Sequence, residues 1–457
     1  MSEFNRLIKL LGTIVWGPHL VLLLLGVGIF FTFRLRFIQA RRLGLAFRFA
    51  FGRKEYGETA QEKKGDISPF QALTTSLAAT IGNGNIAGVC TAIAMGGPGA
   101  IFWMWLAAFF GMATKTVEAV LGQRFKRILP DGSTAGGPMY YIRYGLNLPL
   151  LAGIFAFFMG CKPLFSTSTI QANSIALALK TQFGLQPWIS GLALAGLTWL
   201  VIIGGIKSIA RVTEFLSPFM VTIYLLGTFL TLALFISRLP GALRLIVVGA
   251  FHPSALTGGV AGATVARAIR YGLSRGAYSN EAGTGTAAVF HASAKTSEPV
   301  RQGLIASLDV FIDTLVICTL TGLTVLVAGV WQEGTSTQMT VNAFNAALSG
   351  GGIVVVASSF LFGYSSLIAV PYYGEIAFSY LFGVWIKKPY RWAFCGLIFL
   401  GAILEVEVTW SIGDIFNGMM ALTNLIGLIG LSGLASQLIR HYFLRLNSLT
   451  TKETKGG

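Results

Sequence analysis

Long apolar runs separated by short basic segments constrain this chain more than any other feature. A membrane-spanning helix needs about 20 mostly apolar residues, and about eleven such runs follow one another along the sequence. Only 11% of the 457 residues are charged, whereas a soluble protein carries about 25%. The sequence therefore predicts an all-α integral membrane protein with about eleven transmembrane helices. The runs lie near residues 11–33, 67–95, 99–122, 148–178, 187–206, 214–236, 258–294, 303–331, 350–382, 392–408 and 411–438.

The distribution of Lys and Arg predicts the orientation. Basic residues are dense between Arg34 and Lys64, directly after the first run, whereas the loop 332–349 contains neither Lys nor Arg. Because Lys and Arg accumulate in cytoplasmic loops, we expect the N-terminus outside and the C-terminus in the cytoplasm of a bacterial or archaeal cell, with this chain in its cell membrane. The basic residues responsible for the net charge of +16 would then lie at the surface of the lipid bilayer, and we expect no nucleic-acid partner.

The order of the runs predicts an internal repeat. The first of the eleven predicted helices is interpreted as an extra one, and the remaining ten helices divide into two blocks of five. Because each block has an odd number of spans, the second block has the opposite orientation in the membrane, as in transporters built from inverted repeats. The predicted segments are an extra N-terminal helix (1–33), a basic cytoplasmic loop (34–66), the first five-helix repeat (67–236), an extracellular connection (237–257), the second, inverted repeat (258–438) and a cytoplasmic tail (439–457).

The first helix of each block contains a matching Gly-x-Gly interruption. Residues 82–85 read GNGN and residues 282–285 read AGTG. Each glycine costs about 1 kcal/mol in a helix interior, and unwound backbone in a membrane is tolerated where it lines a cavity or is buried in protein. The N-terminus of a half-helix suits a carboxylate, and freed carbonyls suit Na⁺. The two interruptions together predict a substrate site near the middle of the membrane.

Ionisable residues inside apolar runs are candidates for function. Lys162 precedes Pro163 in the fourth run, and Asp309 and Asp313 share one helix face in the eighth. Lys115 and Glu118, at i,i+3 in the third run, are interpreted as a structural ion pair. The pattern GxSxG at 272–276 lies in a basic helical stretch and is not interpreted as catalytic. No nucleotide-binding motif is present in the sequence, so an ion gradient is expected to drive transport.

Several motifs resemble one transporter family. The segment GGPGAIFWMWLAAFFG at 96–111 looks like the signature of the alanine or glycine:cation symporter family. The resemblance implies a fold similar to the leucine-transporter type, with a 5+5 inverted repeat and one extra N-terminal helix. It also implies Na⁺-coupled symport of a small neutral amino acid, no enzymatic activity and no cofactor beyond Na⁺ as the coupling ion. Further matching segments are GNGNIAGV at 82–89, QANS at 171–174, SNEAGTGTA at 279–287, FIDTLVICTLTGL at 311–323, YYGE at 372–375 and the segment 414–425.

The resemblance also implies site residues. Where the family has Gly-Trp, this chain has Ala369-Val370-Pro371, so we expect a pocket that accepts side chains somewhat larger than that of alanine and a helix bent at the proline. The implied cation ligands are Ala78, Ile81, Ser365 and Ser366, with sodium as the only metal. The implied substrate residues are Asn83, Gly84, Asn85, Gln171, Gly283, Thr284, Gly285 and Val370.

Other functions remain open at this stage. An H⁺-coupled amino-acid transporter would use Lys162 as its titrating group, because burial lowers the pKa of a lysine. An ion channel would need rings of like charge along a wet pore, and an intramembrane enzyme is the least favoured alternative. The sequence does not predict the oligomeric state or the exact amino acid.

Overall fold

The computed structural model describes residues 3–52, 64–252, 265–334, 336–404 and 407–455. Within these ranges the protein is built almost entirely from helices, as the apolar runs predict. The α-helices are α1 Glu3–Val15, α2 Pro18–Arg34, α3 Ile38–Arg41, α4 Leu43–Phe51, α5 Pro69–Thr80, α6 Ala87–Gly96, α7 Ala100–Arg124, α8 Pro138–Leu146, α9 Pro149–Lys162, α10 Ser168–Phe183, α11 Pro187–Ile202, α12 Gly205–Leu234, α13 Leu239–Phe251, α14 Val265–Asn280, α15 Thr286–Ala292, α16 Pro299–Val310, α17 Thr319–Ala328, α18 Thr337–Ala347, α19 Gly352–Phe382, α20 Lys387–Ile403, α21 Glu407–Gly430 and α22 Ser432–Lys455.

Short irregular elements complete the description. Strands β1 Arg127–Ile128 and β2 Thr134–Ala135 pair antiparallel in the turn after α7. The 3₁₀ turns are Asn83–Asn85, Ile236–Arg238 and Val384–Ile386, and the π-helical segments are Pro163–Thr167 and Phe311–Cys318.

Seven helices in the described ranges are long and apolar enough to cross a membrane, and a bent pair makes an eighth candidate. The bent pair is α5 with α6, which meet at 63°. These eight candidates show a multi-pass membrane protein. The seven are Arg6–Arg34, Ala100–Arg124, Pro149–Lys180, Gly205–Leu234, Pro299–Ala328, Gly352–Phe382 and Thr409–Gly430.

The three other predicted runs also coincide with helices, but with shorter ones. The runs 187–206 and 392–408 correspond to α11, with 16 residues, and α20, with 17. The run 258–294 corresponds to α14 and α15. Its first residues, 258–264, and residues 405–406 of the tenth run lie outside the described residues, as do 53–63 of the basic segment and 253–257 of the connection. The count of eleven therefore stays a prediction.

Segments expected as loops contain helices with buried apolar faces. The basic segment after the first run holds α3 and α4, whose Ile38, Ala46 and Phe49 are buried. The connection between the two blocks holds α13, and α22 continues into the predicted cytoplasmic tail.

Both predicted helix interruptions are present. Helix α5 starts at a capping box between Ser68 and Gln71 and ends at Thr80 before the 3₁₀ turn. Helix α14 ends at Asn280, and α15 begins at Thr286. We call the backbone 81–86 the first break and the backbone 281–285 the second break.

Pro163 and Pro371 have different effects on the helices of two other spans. Pro163 has no N–H to donate to the carbonyl four residues earlier, and a π-helical segment follows directly after Lys162. Helix α19, in contrast, runs from Gly352 to Phe382 as one helix with Pro371 inside it.

Helix α7 forms the centre of the packing around the second break. Its residues from Met112 to Gln123 are all buried, and it packs against α14, α15 and α16. A Cβ atom on Gly303 of α16 would lie 2.4 Å from Val120 Cγ2, so the absent side chain permits the close approach of the two helices. This packing places Lys115 and Glu118 beside the second break.

Candidate functional site

The first break frees a backbone carbonyl next to α19. In a continuing helix, the amide of Gly82 would donate to the carbonyl of Ala78. Instead it donates to Oδ1 of Asn85 at 2.9 Å, and the Ala78 carbonyl accepts from the Ser365 hydroxyl at 3.1 Å. A Cβ atom on Gly82 would lie 3.2 Å from Ser366 Oγ, so glycine leaves room for the serine pair.

Three of the four predicted cation ligands, Ala78, Ser365 and Ser366, therefore lie where the first break meets α19. Both Ser365 and Ser366 are buried in α19, and the Phe362 carbonyl lies within hydrogen-bond distance of both hydroxyls, at 2.9 and 3.1 Å. The single hydrogen of the Ser365 hydroxyl can thus point to either Phe362 or Ala78. Ile81 is the residue at which the first break begins, with extended backbone. Hydroxyl and carbonyl oxygens are the ligands that a hard cation such as Na⁺ prefers.

A cavity of about 70 Å³ lies between the two breaks and α9, α10, α19 and α21. Four of the predicted substrate residues line it: Asn83, Gly84, Gln171 and Val370. Asn83 Nδ2 donates to Gln171 Oε1 at 3.0 Å, which joins the first break to α10. The remaining lining residues are Ala79, Thr80, Gly82, Lys162, Ser166, Thr167, Ile170, Tyr278, Ser279, Glu281, Ser366, Tyr373, Trp410 and Asn417.

A buried ion pair forms part of the cavity wall. Lys162 Nζ bonds to Glu281 Oε1 and also lies 5.6 Å from the centre of the Tyr373 ring. The side chains of Lys162 and Glu281 are only 5% and 13% exposed. Glu281 has φ of 52°, a left-handed conformation that residues with a Cβ seldom adopt. The pair connects α9 to the second break.

The other four predicted substrate residues do not line this cavity. Asn85 donates to Asp313 Oδ1 at 2.6 Å. The amide of Gly285 donates to Glu118 Oε1 at 3.0 Å, and the carbonyl of Gly283 accepts from Asn424 Nδ2 at 2.9 Å. Thr284 donates to the carbonyl of Glu281 at 2.8 Å. These residues hold the breaks in place and do not line the space between them.

Lys115 and Glu118 have separate partners on either side of the second break. Lys115 Nζ donates to the Asn280 carbonyl at 2.7 Å and lies 3.9 Å from Asp309. Glu118 accepts from the amide of Gly285 and, at 2.6 Å, from Asn424. A positive side chain thus caps the C-terminus of α14, and a negative one meets the N-terminus of α15, as the helix dipoles favour.

Asp313 connects the first break to the last turn of α14, just before the second break. It lies in the π-helical segment Phe311–Cys318 and is buried. One carboxylate oxygen accepts from Asn85 of the first break, and the other accepts from the Ser279 hydroxyl at 2.9 Å, two residues before the second break. One side chain therefore fixes the separation of the two interruptions.

Comparisons with known proteins agree on one family. The sequence profile of the sodium:alanine symporter family matches residues 1–455. The chain is 44% identical over 440 residues to the sodium/alanine symporter AgcS of Methanococcus maripaludis, covering 94% of this chain and 95% of that protein. The chain belongs to the sodium:alanine symporter family.

Two further relatives of this sodium:alanine symporter family member come from Bacillus subtilis. The amino-acid carrier protein AlsT is 37% identical over 445 residues, with 96% of this chain and 92% of that protein covered. The protein named "Probable sodium/glutamine symporter GlnT" is 36% identical over 446 residues, with 96% and 90% covered. The family and these relatives point to a multi-pass membrane transporter of amino acids and sodium rather than to an enzyme.

Sequence reasoning missed several cavity-lining residues of this family member. Glu281, Ser279 and Tyr373 lie inside motifs already singled out, and Asn417 lies in the segment 414–425. The available signal for Glu281 was its position: an acidic residue immediately before a glycine break inside an apolar run. Trp410 gave no local signal, because only the packing of α21 brings it to the cavity.

Proposed function

We propose that this protein is a Na⁺-coupled symporter of a small neutral amino acid, with alanine or glycine as the smallest substrates. The observation that supports this most is the position of the cation ligands beside the cavity. Ser366 lines the cavity, and the adjacent Ser365 bonds to the Ala78 carbonyl, which the first break has released. A cation bound there and a substrate in the cavity would contact the same break, so each would favour the arrangement that binds the other.

The proposed substrate contacts fall into two groups. Asn83, Gly84, Gln171 and Val370 form the wall that the substrate touches. We assign Asn85, Gly283, Thr284 and Gly285 to the support of the two breaks. The proposed sodium ligands are the carbonyls of Ala78 and Ile81 and the hydroxyls of Ser365 and Ser366, because a hydroxyl oxygen retains lone pairs for a cation when its hydrogen rotates away.

We also propose the 5+5 inverted repeat with one extra N-terminal helix, an outside N-terminus and a cytoplasmic C-terminus. Two short helices support the repeat. Helix α8 lies between the second and third spans of the first block, and α18 lies between the second and third spans of the second. Matching insertions at matching places, together with a break in the first helix of each block, are expected of two related halves.

Uptake into proteoliposomes tests the function. Labelled alanine, glycine and larger neutral amino acids would be offered with an inward Na⁺ gradient, with K⁺ replacing Na⁺, and with a pH gradient alone. We expect Na⁺-dependent uptake of at least one of them. Uptake that needs only the pH gradient would contradict the proposal.

The size of the pocket is a separate part of the proposal. Val370 lines the cavity, and one methylene in an apolar pocket changes selectivity by about 1–3 kcal/mol. We expect side chains larger than that of alanine to compete for uptake, and Val370→Trp to shift preference several-fold towards glycine and alanine. Competition by glycine and alanine alone in the parent protein would show that the pocket is not enlarged.

One observation favours a second function, H⁺-coupled transport. The cavity wall contains a buried lysine in contact with a largely buried carboxylate, Lys162 and Glu281, and proton-coupled transporters use ionisable side chains within the membrane. Two contacts nevertheless favour Na⁺ coupling. Lys162 is already paired with Glu281, and the Ser365 hydroxyl bonds to the Ala78 carbonyl that the first break releases. Lys162→Met is expected to leave the ratio of uptake with and without Na⁺ intact. In the parent, uptake that a pH gradient drives and that Na⁺ does not affect would establish the second function.

A further inference from the structure

The Lys162–Glu281 pair is positioned to contact a substrate. Apart from two tyrosines, the two side chains are the only acidic or basic ones among the described lining residues. One is basic and the other is acidic, so the ion pair that they form leaves the cavity wall without net charge. A neutral amino acid is a zwitterion and preserves that balance, whereas an amine or an acid would leave one buried charge without a counter-ion, which is costly.

The side chains of Lys162 and Glu281 differ in how far they can move. Glu281 is fixed: its backbone is in the left-handed region, and its second carboxylate oxygen accepts from the Thr286 hydroxyl at 2.7 Å. Lys162 lies at the end of α9 on a flexible four-carbon stem. The lysine ammonium can therefore move while the carboxylate stays at the second break.

Two residues that line the same cavity have a buried amide oxygen that accepts no hydrogen bond from the described residues. Among the described residues, no hydrogen-bond donor reaches Oδ1 of Asn417 or Oδ1 of Asn83, although both atoms are buried. Asn417 is only 4% exposed. Buried acceptors are nearly always satisfied in native proteins, and a substrate ammonium brings three N–H donors. Together with Glu281, these amide oxygens form a set of acceptors suited to an ammonium.

The volume of the cavity indicates that it must widen. At about 70 Å³, it is well below the roughly 300 Å³ at the lower end of ligand pockets. The ion pair connects α9 to the second break, so parting it would separate two walls. A buried pair separates at low cost only when each member receives a new partner.

We infer that Lys162 and Glu281 recognise both charged ends of a zwitterionic amino acid by exchanging partners with it. The substrate carboxylate takes the Lys162 ammonium, beside Gly84, and the substrate ammonium takes the Glu281 carboxylate. This inference rests on the proposed function and adds the requirement that both charged groups be present. The lysine acts as an internal substitute for the substrate until the substrate arrives.

Competition against labelled alanine in proteoliposomes with a Na⁺ gradient tests the exchange. The competitors are alanine, alanine methyl ester, which lacks the carboxylate, and propionate, which lacks the ammonium. In the parent protein we expect both analogues to compete at least 100-fold more weakly than alanine. In the double variant Lys162→Met with Glu281→Gln, which keeps the cavity neutral, we expect that difference to fall below tenfold. Lys387→Met is the matched control, because it removes a lysine whose partner is Asp131, outside the cavity, and should keep the parental difference.

The possible outcomes distinguish the role of the Lys162–Glu281 pair in recognition from the proposed function of the protein. A double variant that transports with the parental 100-fold discrimination would show that the pair only holds the helices together, and would overturn the inference alone. The same holds if the parent accepts the methyl ester as well as it accepts alanine, a result that needs no variant to fold. A parent without Na⁺-dependent amino-acid uptake would overturn the proposed function, and the inference with it.

Discussion

The two helix breaks have similar sequences but different surroundings. The first break contacts the cavity and the serine pair of α19, and Asn83 and Gly84 both line the cavity. The glycines of the second break face a buried polar cluster, formed by Glu118 and Asn424. Only Glu281, at its start, lines the cavity.

The glycines of the two breaks are needed for different reasons. Gly82 has extended backbone and leaves space for Ser366. Gly283 and Gly285 have φ of 92° and 84°, a region that glycine adopts without strain. Glycine in the first break therefore makes room for a neighbouring side chain, whereas glycine in the second break permits the path of its own backbone. A matching motif at two places in the chain does not imply a matching role.

The largest expected effect follows from the backbone of the second break. In Gly285→Ala, the new Cβ would lie 2.3 Å from Pro138 Cγ and the residue would keep φ of 84°. Strain and overpacking each cost about 1–3 kcal/mol, so we expect a loss of at least about 2 kcal/mol of stability, seen as a lower melting temperature in detergent. Gly84→Ala is the control, because a Cβ there meets nothing within 4 Å. Equal melting temperatures for the two variants would refute the distinction between the breaks.

The next prediction concerns the link between the breaks. Asp313→Asn keeps the shape of the side chain but removes the charge that binds Asn85 and Ser279. Hydrogen bonds to a charged group contribute about 1.5–3 kcal/mol, so we expect initial uptake rates to fall roughly tenfold to hundredfold while protein still reaches the membrane. Unchanged rates would mean that the breaks keep their separation without Asp313.

A smaller effect is expected at the proposed cation ligands beside the first break. Ser366→Ala removes one hydroxyl oxygen but keeps the helix, and we expect the Na⁺ concentration for half-maximal uptake to rise about tenfold, which corresponds to about 1.4 kcal/mol. Ser358→Ala, a buried serine elsewhere in α19, should leave the Na⁺ dependence unchanged. Identical Na⁺ dependence in Ser366→Ala and the parent would place the cation elsewhere.

The smallest effect is expected at an ion pair outside both breaks. Asp131, in the turn between β1 and β2, accepts from Lys387 at 2.7 Å. Partial burial opposes ionisation, but the hydrogen bonds from Lys387 and Ser133 outweigh it and lower the pKa of Asp131 from 3.8 to about 2. Its contribution is therefore complete above about pH 4 and is lost as the pH falls towards 2.

We accordingly expect Asp131→Asn to cost less than about 1 kcal/mol at neutral pH, because a solvent-screened pair contributes little. Melting curves at pH 7 and pH 3 would measure this, and transport should stay close to the parental rate. A loss of transport as large as that expected for Asp313→Asn would show that uptake responds to any lost carboxylate.

Local patterns predicted the helices and their interruptions well. Each apolar run corresponds to one or more helices, and both Gly-x-Gly segments interrupt a helix where the sequence indicated. Contacts between distant residues could not be predicted in this way. Lys115 and Glu118 are three residues apart and were interpreted as a pair, yet α14 and α15 provide their hydrogen-bond partners. The choice of partner depends on which helix packs against that face of α7.

The sequence by itself determined the class of protein, the positions of the two breaks and the resemblance to a family, because apolar length, glycine spacing and motifs are properties of short segments. Only the tertiary structure decided that Asn83 and Gly84 line a cavity while Asn85 bonds to Asp313, and that Lys162 meets Glu281 from 119 residues away. Those outcomes depend on the rotation and depth of each helix. Side-chain packing across the whole bundle sets both, and no short segment of sequence contains that information.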